Sequence, residues 1–332
     1  MSIQTASAYG WLSQVPRVPL NSTIDLNGVY CSPAGGRIFH VRGDGTSILA
    51  YDDQYGQNTA DMNQRLWPSV ASVLPYCVAS RKDRIIVHPN HTENIASADA
   101  WAVVAGLSIV GLGFGATRPT FTFSAADSTL VLDAAGISVQ NCRWLCAGPA
   151  GTTALTVTAP LSVTGEGCTF EGNYFEVGID ADQLCTAFCN VAAANVGFYA
   201  NTIRGLAQAS TPTSIITLTG ADYFKFVGNH CKAALSAAAK GFIANSTTAS
   251  ADVLIQENNF WQWKSDSSAC ISLAANSVTT GMIVNNRFRV MGDSIQPVVY
   301  SGTGVDVALF GNYCDDTANG NGALVVGAGT ST

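Results

Sequence analysis

Carboxylates, imidazoles, thiols and indoles are the side chains in this sequence that could do chemistry, and their spacing tests each in turn. The densest acidic run is Glu166, Glu171, Glu176, Asp180 and Asp182. Attack on a glycosidic bond needs two carboxyl groups about 5 to 9.5 Å apart. Asp222, Asp252, Asp266 and Asp306 lie in different parts of their rungs, so spacing does not show them converging, and the acidic run itself reads as a solvated face. His40, His88, His91 and His230 form no Ser/His/Asp arrangement, and HPNH (88–91) reads as a polar bend. Cys142 and Cys146, like Cys185 and Cys189, are four apart, which is not the close pairing of a zinc knuckle. On this reading there is no catalytic, cofactor-binding or metal-binding residue to assign, and the chain is expected not to be an enzyme.

What positions these side chains is an internal repeat. CTFEGNYFE recurs as VGFYANTIRG, FKFVGNHCKA, VLIQENNFWQW, GMIVNNRFRV and VALFGNYCDD, with Asn173, Asn201, Asn229, Asn258, Asn286 and Asn312 as origins. The successive gaps are 28, 28, 29, 28 and 26 residues. Three places before each asparagine stand Phe170, Phe198, Phe226, Ile255, Ile283 and Leu309, and two places after it stand Phe175, Ile203, Cys231, Phe260, Phe288 and Cys314. In an earlier phrase, GISVQNCRW, Cys142 takes the asparagine place and Trp144 the inward place after it.

Short period-two segments that return at this interval, with no amphipathic helix between them, predict an all-β chain built as a parallel β-helix. Each asparagine is expected at a left-handed bend between strands, bonding the same amide one rung away. Four regions follow: an N-terminal arm or attachment region over 1–58, a helix capping the open end over 59–77, the coil over 78–316, and a strand with a tail over 317–332. The helix is expected from Met62, Leu66, Val70, Val73 and Leu74, with Thr59 or Asp61 as its N-cap and Pro68 limiting or kinking it.

The repeat also sorts the outward side chains. Three places after the asparagines the column reads Glu176, Arg204, Lys232, Trp261, Arg289, Asp315, and one place after it reads Tyr174, Thr202, His230, Asn259, Arg287, Tyr313. Trp261 and Trp263 point outward, where they suit a subunit contact or a sugar ring. Tyr9, Trp11 and Tyr30 are aromatic residues in an aperiodic N-terminal stretch and are further candidates for attachment.

Composition narrows the partners. With 16 Lys and Arg against 23 Asp and Glu, a net charge of −7 argues against nucleic acid. No apolar run approaches the ~18 residues that would span a membrane, and the N-terminus does not read as a signal peptide. The ten cysteines fit no secreted disulfide framework and are expected to be buried free thiols, as in a chain folded in a reducing cytoplasm.

The stretch from Arg84 to Phe123, RIIVHPNHTENI…LSIVGLGFGATRPTFTF, resembles the opening turns of pectate-lyase-like right-handed β-helices. The order RIFHVRGDG, loop, helix, RIIVHPNHTENI is similar to structural proteins of tailed bacteriophages. That resemblance covers most of 37–316 and implies a non-enzymatic virion protein made in the bacterial cytoplasm. The expectation is a homotrimeric capsid decoration or head-fibre protein, held on the major capsid protein or another virion protein through its N-terminal region. The alternative is a tail spike or tail-fibre adhesin that binds or depolymerises a host surface glycan.

Overall fold

Phe170 pairs in parallel with Val139 on one side and with Phe198 on the other, and this step repeats along the chain. The computed structural model describes residues 23–24, 30–31, 36–43, 66–98, 101–147, 155–180, 183–205, 214–233, 241–245, 248–262, 269–274, 279–290, 297–301 and 305–316. Three parallel sheets carry the coil. The first has eleven strands, from Leu66–Trp67 and Ile38–Val41 at one end to Val305–Phe310 at the other. The second has nine, from Thr92–Ile95 to Tyr313–Asp316, and the third has seven, from Leu130–Leu132 to Val298–Ser301. A turn visits them in that order, as in Thr169–Glu171, Tyr174–Glu176 and Ala187–Val191. This is the all-β parallel β-helix that the repeat predicts.

The corner between the first and second sheets differs in detail from the expectation. The left-handed residue is the one before each asparagine: Gly172 (φ 61°), Ala200 (φ 51°), Gly228 (φ 67°), Glu257 (φ 56°), Asn285 (φ 55°) and Gly311 (φ 66°). One left-handed residue turns the chain and swings the next side chain inward, so the asparagine is free to bond along the axis. Asn173, Asn201, Asn229, Asn258 and Asn286 are buried, and Asn312 on the last rung is half-buried.

Inward columns fill the coil. Phe170 stacks on Phe198 at 4.6 Å and Phe260 on Phe288 at 5.3 Å, while Phe121 stacks on Trp144 at 4.9 Å. Offset stacking of this kind adds about 0.5–1.5 kcal/mol per pair beyond area burial.

The N-terminal end corrects two expected boundaries. The coil begins before residue 78, because Ile38–Val41, inside the expected arm, pairs in parallel with Arg84–Val87. Of the helix expected over 59–77, the described part from Leu66 onward is a strand followed by a short helix. Leu66–Trp67 pairs with His40 and Val41, and among the described residues of this stretch helix covers Val70–Val73, continuing as a 3-10 turn over Leu74–Tyr76. Pro68 ends the strand, and Ser69 is the N-cap of this helix, its hydroxyl accepting from Ser72 N, while the expected caps Thr59 and Asp61 lie outside the described residues. The short helix still seals the coil, burying Val70, Val73 and Leu74 in the same core as Phe39, Val41 and Ile85. Residues 59–65 and 317–332 lie outside the described residues.

Candidate functional site

From Asn173 to Asn286 the carboxamides of the ladder are bonded on both sides. Asn173 Nδ2 donates to Val139 O at 2.9 Å and to Asn201 Oδ1 at 3.2 Å, while Asn173 N donates to the same Oδ1 at 2.9 Å. Asn201, Asn229, Asn258 and Asn286 repeat this pattern toward Asn312. Where the ladder starts, Cys142 N and Trp144 Nε1 donate to Asn173 Oδ1 at 3.0 and 3.4 Å. These side chains hold the coil and present nothing to a ligand.

The outer face of the second sheet does. Strand register stacks Glu176, Arg204, Lys232, Trp261 and Arg289 in one column on successive rungs. Lys232 Nζ lies 3.8 Å from the centroid of the Trp261 ring, and the Arg289 guanidinium carbon lies 4.7 Å from it. The two cations approach from the rungs on either side, so both faces of the indole are covered. Among the described residues Trp261 Nε1 and Arg289 Nε have no hydrogen-bond partner. In the neighbouring column Arg287 lies over the exposed ring of Tyr313 at 5.8 Å.

At the other end of this face lies a shallow cavity of about 260 Å³ lined by Gly115, Ala116, Arg118, Arg143, Tyr174 and Glu176. Glu176 departs from the solvated face expected of it. It is 8% exposed, and its Oε2 accepts from the Arg143 guanidinium at 2.7 Å. Arg143 follows Cys142 as Tyr174 follows Asn173, so extending the asparagine column back one rung would have located this pair. The places directly above and below Glu176 in its column are held by Leu145 and Arg204. Glu166 and Glu171 are exposed at other parts of the turn, and the side chains of Asp180 and Asp182 lie outside the described residues.

Three histidines scattered in sequence meet at the N-terminal rungs. His40 Nδ1 lies 3.0 Å from His88 Nε2, so one nitrogen carries the proton and the other accepts it. Burial, then the charges of Arg42 and His91, holds the His88 pKa below its ordinary value. His91 is buried with Nε2 3.1 Å from Glu93 Oε2, and Glu93 also accepts from Val70 N at 2.8 Å and Ala71 N at 3.2 Å. Glu93 occupies the inward place beneath Phe121 and uses it to hold the sealing helix. Among the described residues no group of three or more His, Cys, Asp or Glu is placed to hold a metal ion.

Nine cysteines are described, all free and buried. Burial pushes the Cys77 and Cys142 thiols up to about 12, with the charge of Asp83 adding to the effect at Cys77. The Cys146 thiol is raised in the same way, with Cys185 beside it. Thiols held protonated in this way act as small apolar side chains. Of the other attachment candidates, Tyr9, Trp11 and Trp263 lie outside the described residues. Tyr30 belongs to a short strand paired with Thr23–Ile24, and its side chain is not described.

No family model matches the sequence, and no curated protein or solved structure matches it either.

Proposed function

We propose that the chain is a non-enzymatic structural protein of a tailed-phage virion. In this reading it is a homotrimeric capsid decoration or head-fibre protein that grips the major capsid protein through its N-terminal region. The observation that carries it is the buried ladder from Asn173 to Asn312, bonded at every step. A continuous ladder with stacked aromatics resists local opening, which suits a part that must stay rigid on a particle. Glu176 supports the non-enzymatic reading, because a paired-carboxylate mechanism would need a second acid where Leu145 and Arg204 stand. The phage assignment itself rests on the resemblance carried by the order RIFHVRGDG to RIIVHPNHTENI, which covers most of 37–316.

Two measurements test this reading together. Sedimentation of the purified chain is expected to give a trimer, and labelled chain is expected to decorate heads when virions are imaged. A chain that stays monomeric at micromolar concentration and ignores capsids would sink the proposal.

A tail-spike or tail-fibre adhesin is the second reading, and the Arg118–Arg143–Tyr174–Glu176 cavity favours it. At about 260 Å³ it is smaller than the ~300–1,000 Å³ of drug-sized sites, so it suits a single sugar unit. Incubation with host polysaccharide, followed by assay for retained glycan and for new reducing or unsaturated ends, separates the two. Label on the tail with glycan retained would replace the first reading with the second.

A further inference from the structure

We infer that the Arg204–Lys232–Trp261–Arg289 column is a docking strip for an acidic polypeptide segment laid along the coil axis. This extends the reading above by naming the chemistry of the partner surface, and its strip test does not depend on that reading. Arg204, Lys232 and Arg289 have no ion pair among the described residues, although acids outnumber bases 23 to 16 in the chain. Three aligned cations without an ion pair among the described residues, two of them pinned to an indole, hold positive charge outward in fixed places; Asp315 follows Arg289 in the column, and its side chain lies outside the described residues. Pinning matters because the rotamer entropy of Lys and Arg is given up before the partner arrives.

The column's geometry decides among polyanions. A sugar ring would stack on an open aromatic face, yet Lys232 and Arg289 cover both faces of Trp261. Nucleic acid would meet the repulsion of a net charge of −7 elsewhere on the chain. A polypeptide need not open the indole faces and, unlike nucleic acid with its charge at every phosphate, can carry negative charge only where its carboxylates match the rungs. Arg204 and Lys232 are on adjacent rungs and Arg289 is two further on, which gives heights of about 0, 4.8 and 14.4 Å. Glutamates at i, i+3 and i+10 of a helix lie on one side at about 0, 4.5 and 15 Å.

The test uses the full chain and fluorescence anisotropy of a labelled helical peptide carrying Glu at i, i+3 and i+10. The comparison probes are an isomer with the same residues but the glutamates spread around the helix, polygalacturonate, and a DNA oligonucleotide. The patterned peptide is expected to bind, to weaken as salt rises, and to outcompete the three other probes. The Arg204→Gln/Lys232→Gln/Arg289→Gln variant should bind at least about tenfold more weakly, a modest loss per pair as suits exposed charges. Its melting curve should stay cooperative, since the three side chains point outward, and Lys232→Arg should bind like the parent. Undiminished binding by the triple variant, equal binding of the isomer, stronger binding of polygalacturonate or DNA, or no binding at all would each overturn the inference.

Capsid binding separates this inference from the proposed function. A triple variant that loses capsid binding supports the strip, and one that binds capsids normally removes the strip while leaving the virion role. A parent chain that binds the patterned peptide but ignores capsids keeps the strip and removes the role.

Discussion

The backbone N–H and the side-chain Nδ2 of Asn201 both donate to one atom, Oδ1 of Asn229, at 2.8 and 3.0 Å. Asn229 in turn donates through its own Nδ2 to Phe198 O at 3.0 Å and to Asn258 Oδ1 at 3.0 Å. Its carboxamide thus joins three rungs, and all these atoms are buried. Asn229→Ala would strip Asn201 N of its acceptor and Phe198 O of a donor, out of reach of water. A loss of about 3 kcal/mol is expected, because each orphaned buried group costs about 1–3 kcal/mol. Urea denaturation of the two proteins measures it. Asn229→Asp should also destabilise, and more so as pH rises, since an ionised carboxylate would face Phe198 O and Asn258 Oδ1.

The ladder was legible in sequence because the coil makes a fixed period visible in three columns at once. The position of the left-handed residue was not, since asparagine and glycine both favour that conformation and stand side by side in Gly172–Asn173, Gly228–Asn229 and Gly311–Asn312. Ala200 and Glu257, whose residue types disfavour that conformation, show its place only with coordinates. The cationic column was readable, because register follows from the repeat. The Arg143–Glu176 pair lay one rung back along the same columns, whereas the meeting of His40 with His88 and the hold of Glu93 on the helix depend on residues in the first rungs. There the turn length departs from the repeat, so no column count reaches them.

Ala200 tests the corner directly. It adopts φ 51° in the place where Gly172 and Gly228 stand on the neighbouring rungs, and it is exposed. An L-residue in the left-handed region costs about 1–2 kcal/mol, and the added freedom of an unfolded glycine takes back about 0.5–1 kcal/mol. Ala200→Gly is therefore expected to stabilise the chain by about 0.5 kcal/mol, by the two estimates just given. Gly228→Ala should cost about 0.5 kcal/mol on the same grounds, since a Cβ there meets nothing closer than 4.0 Å. Paired denaturation curves check both, and a destabilising Ala200→Gly would count against the strain account.

The buried thiols set an alkaline limit. Burial raises Cys77 and Cys142 from 9.0 to about 12, so the folded chain keeps protons that the unfolded chain releases. Their contribution is present in full below pH 9.0 and is lost as pH rises toward about 12. Denaturation midpoints should fall steadily across that interval. At pH 8 the nine described thiols should react with a thiol reagent only after unfolding, because attack needs the thiolate and access.

Glu93 should matter more than its place near the end of the coil suggests. Its two oxygens accept from Val70 N and Ala71 N, and one of them also meets His91 Nε2. Glu93→Ala would leave the helix start without those acceptors and open a gap beneath Phe121. A cost of about 1–2 kcal/mol is expected, in the range of a lost N-cap. Native-state hydrogen exchange should locate the effect at Val70–Tyr76 and spare the rungs from Asn201 onward. Uniform loss of protection along the coil would show instead that the end nucleates the whole.

Arg143 and Glu176 separate a structural ion pair from a working carboxylate. Their oxygen–nitrogen distance is 2.7 Å, and Glu176 is almost out of water while Arg143 forms one wall of the cavity. Removing the guanidinium alone leaves a desolvated carboxylate, whereas removing both charges leaves a neutral contact. Arg143→Met should therefore cost about 2 kcal/mol, less than the 3–5 kcal/mol of a fully buried pair because Arg143 is partly exposed. The Arg143→Met/Glu176→Gln double variant should recover at least half of that loss, and equilibrium denaturation of the four proteins in the cycle measures the coupling. A catalytic or ligand-binding Glu176 behaves differently. Its loss would leave stability nearly unchanged in both backgrounds while altering glycan retention or turnover, so the same four proteins assayed on host polysaccharide decide which role the carboxylate has.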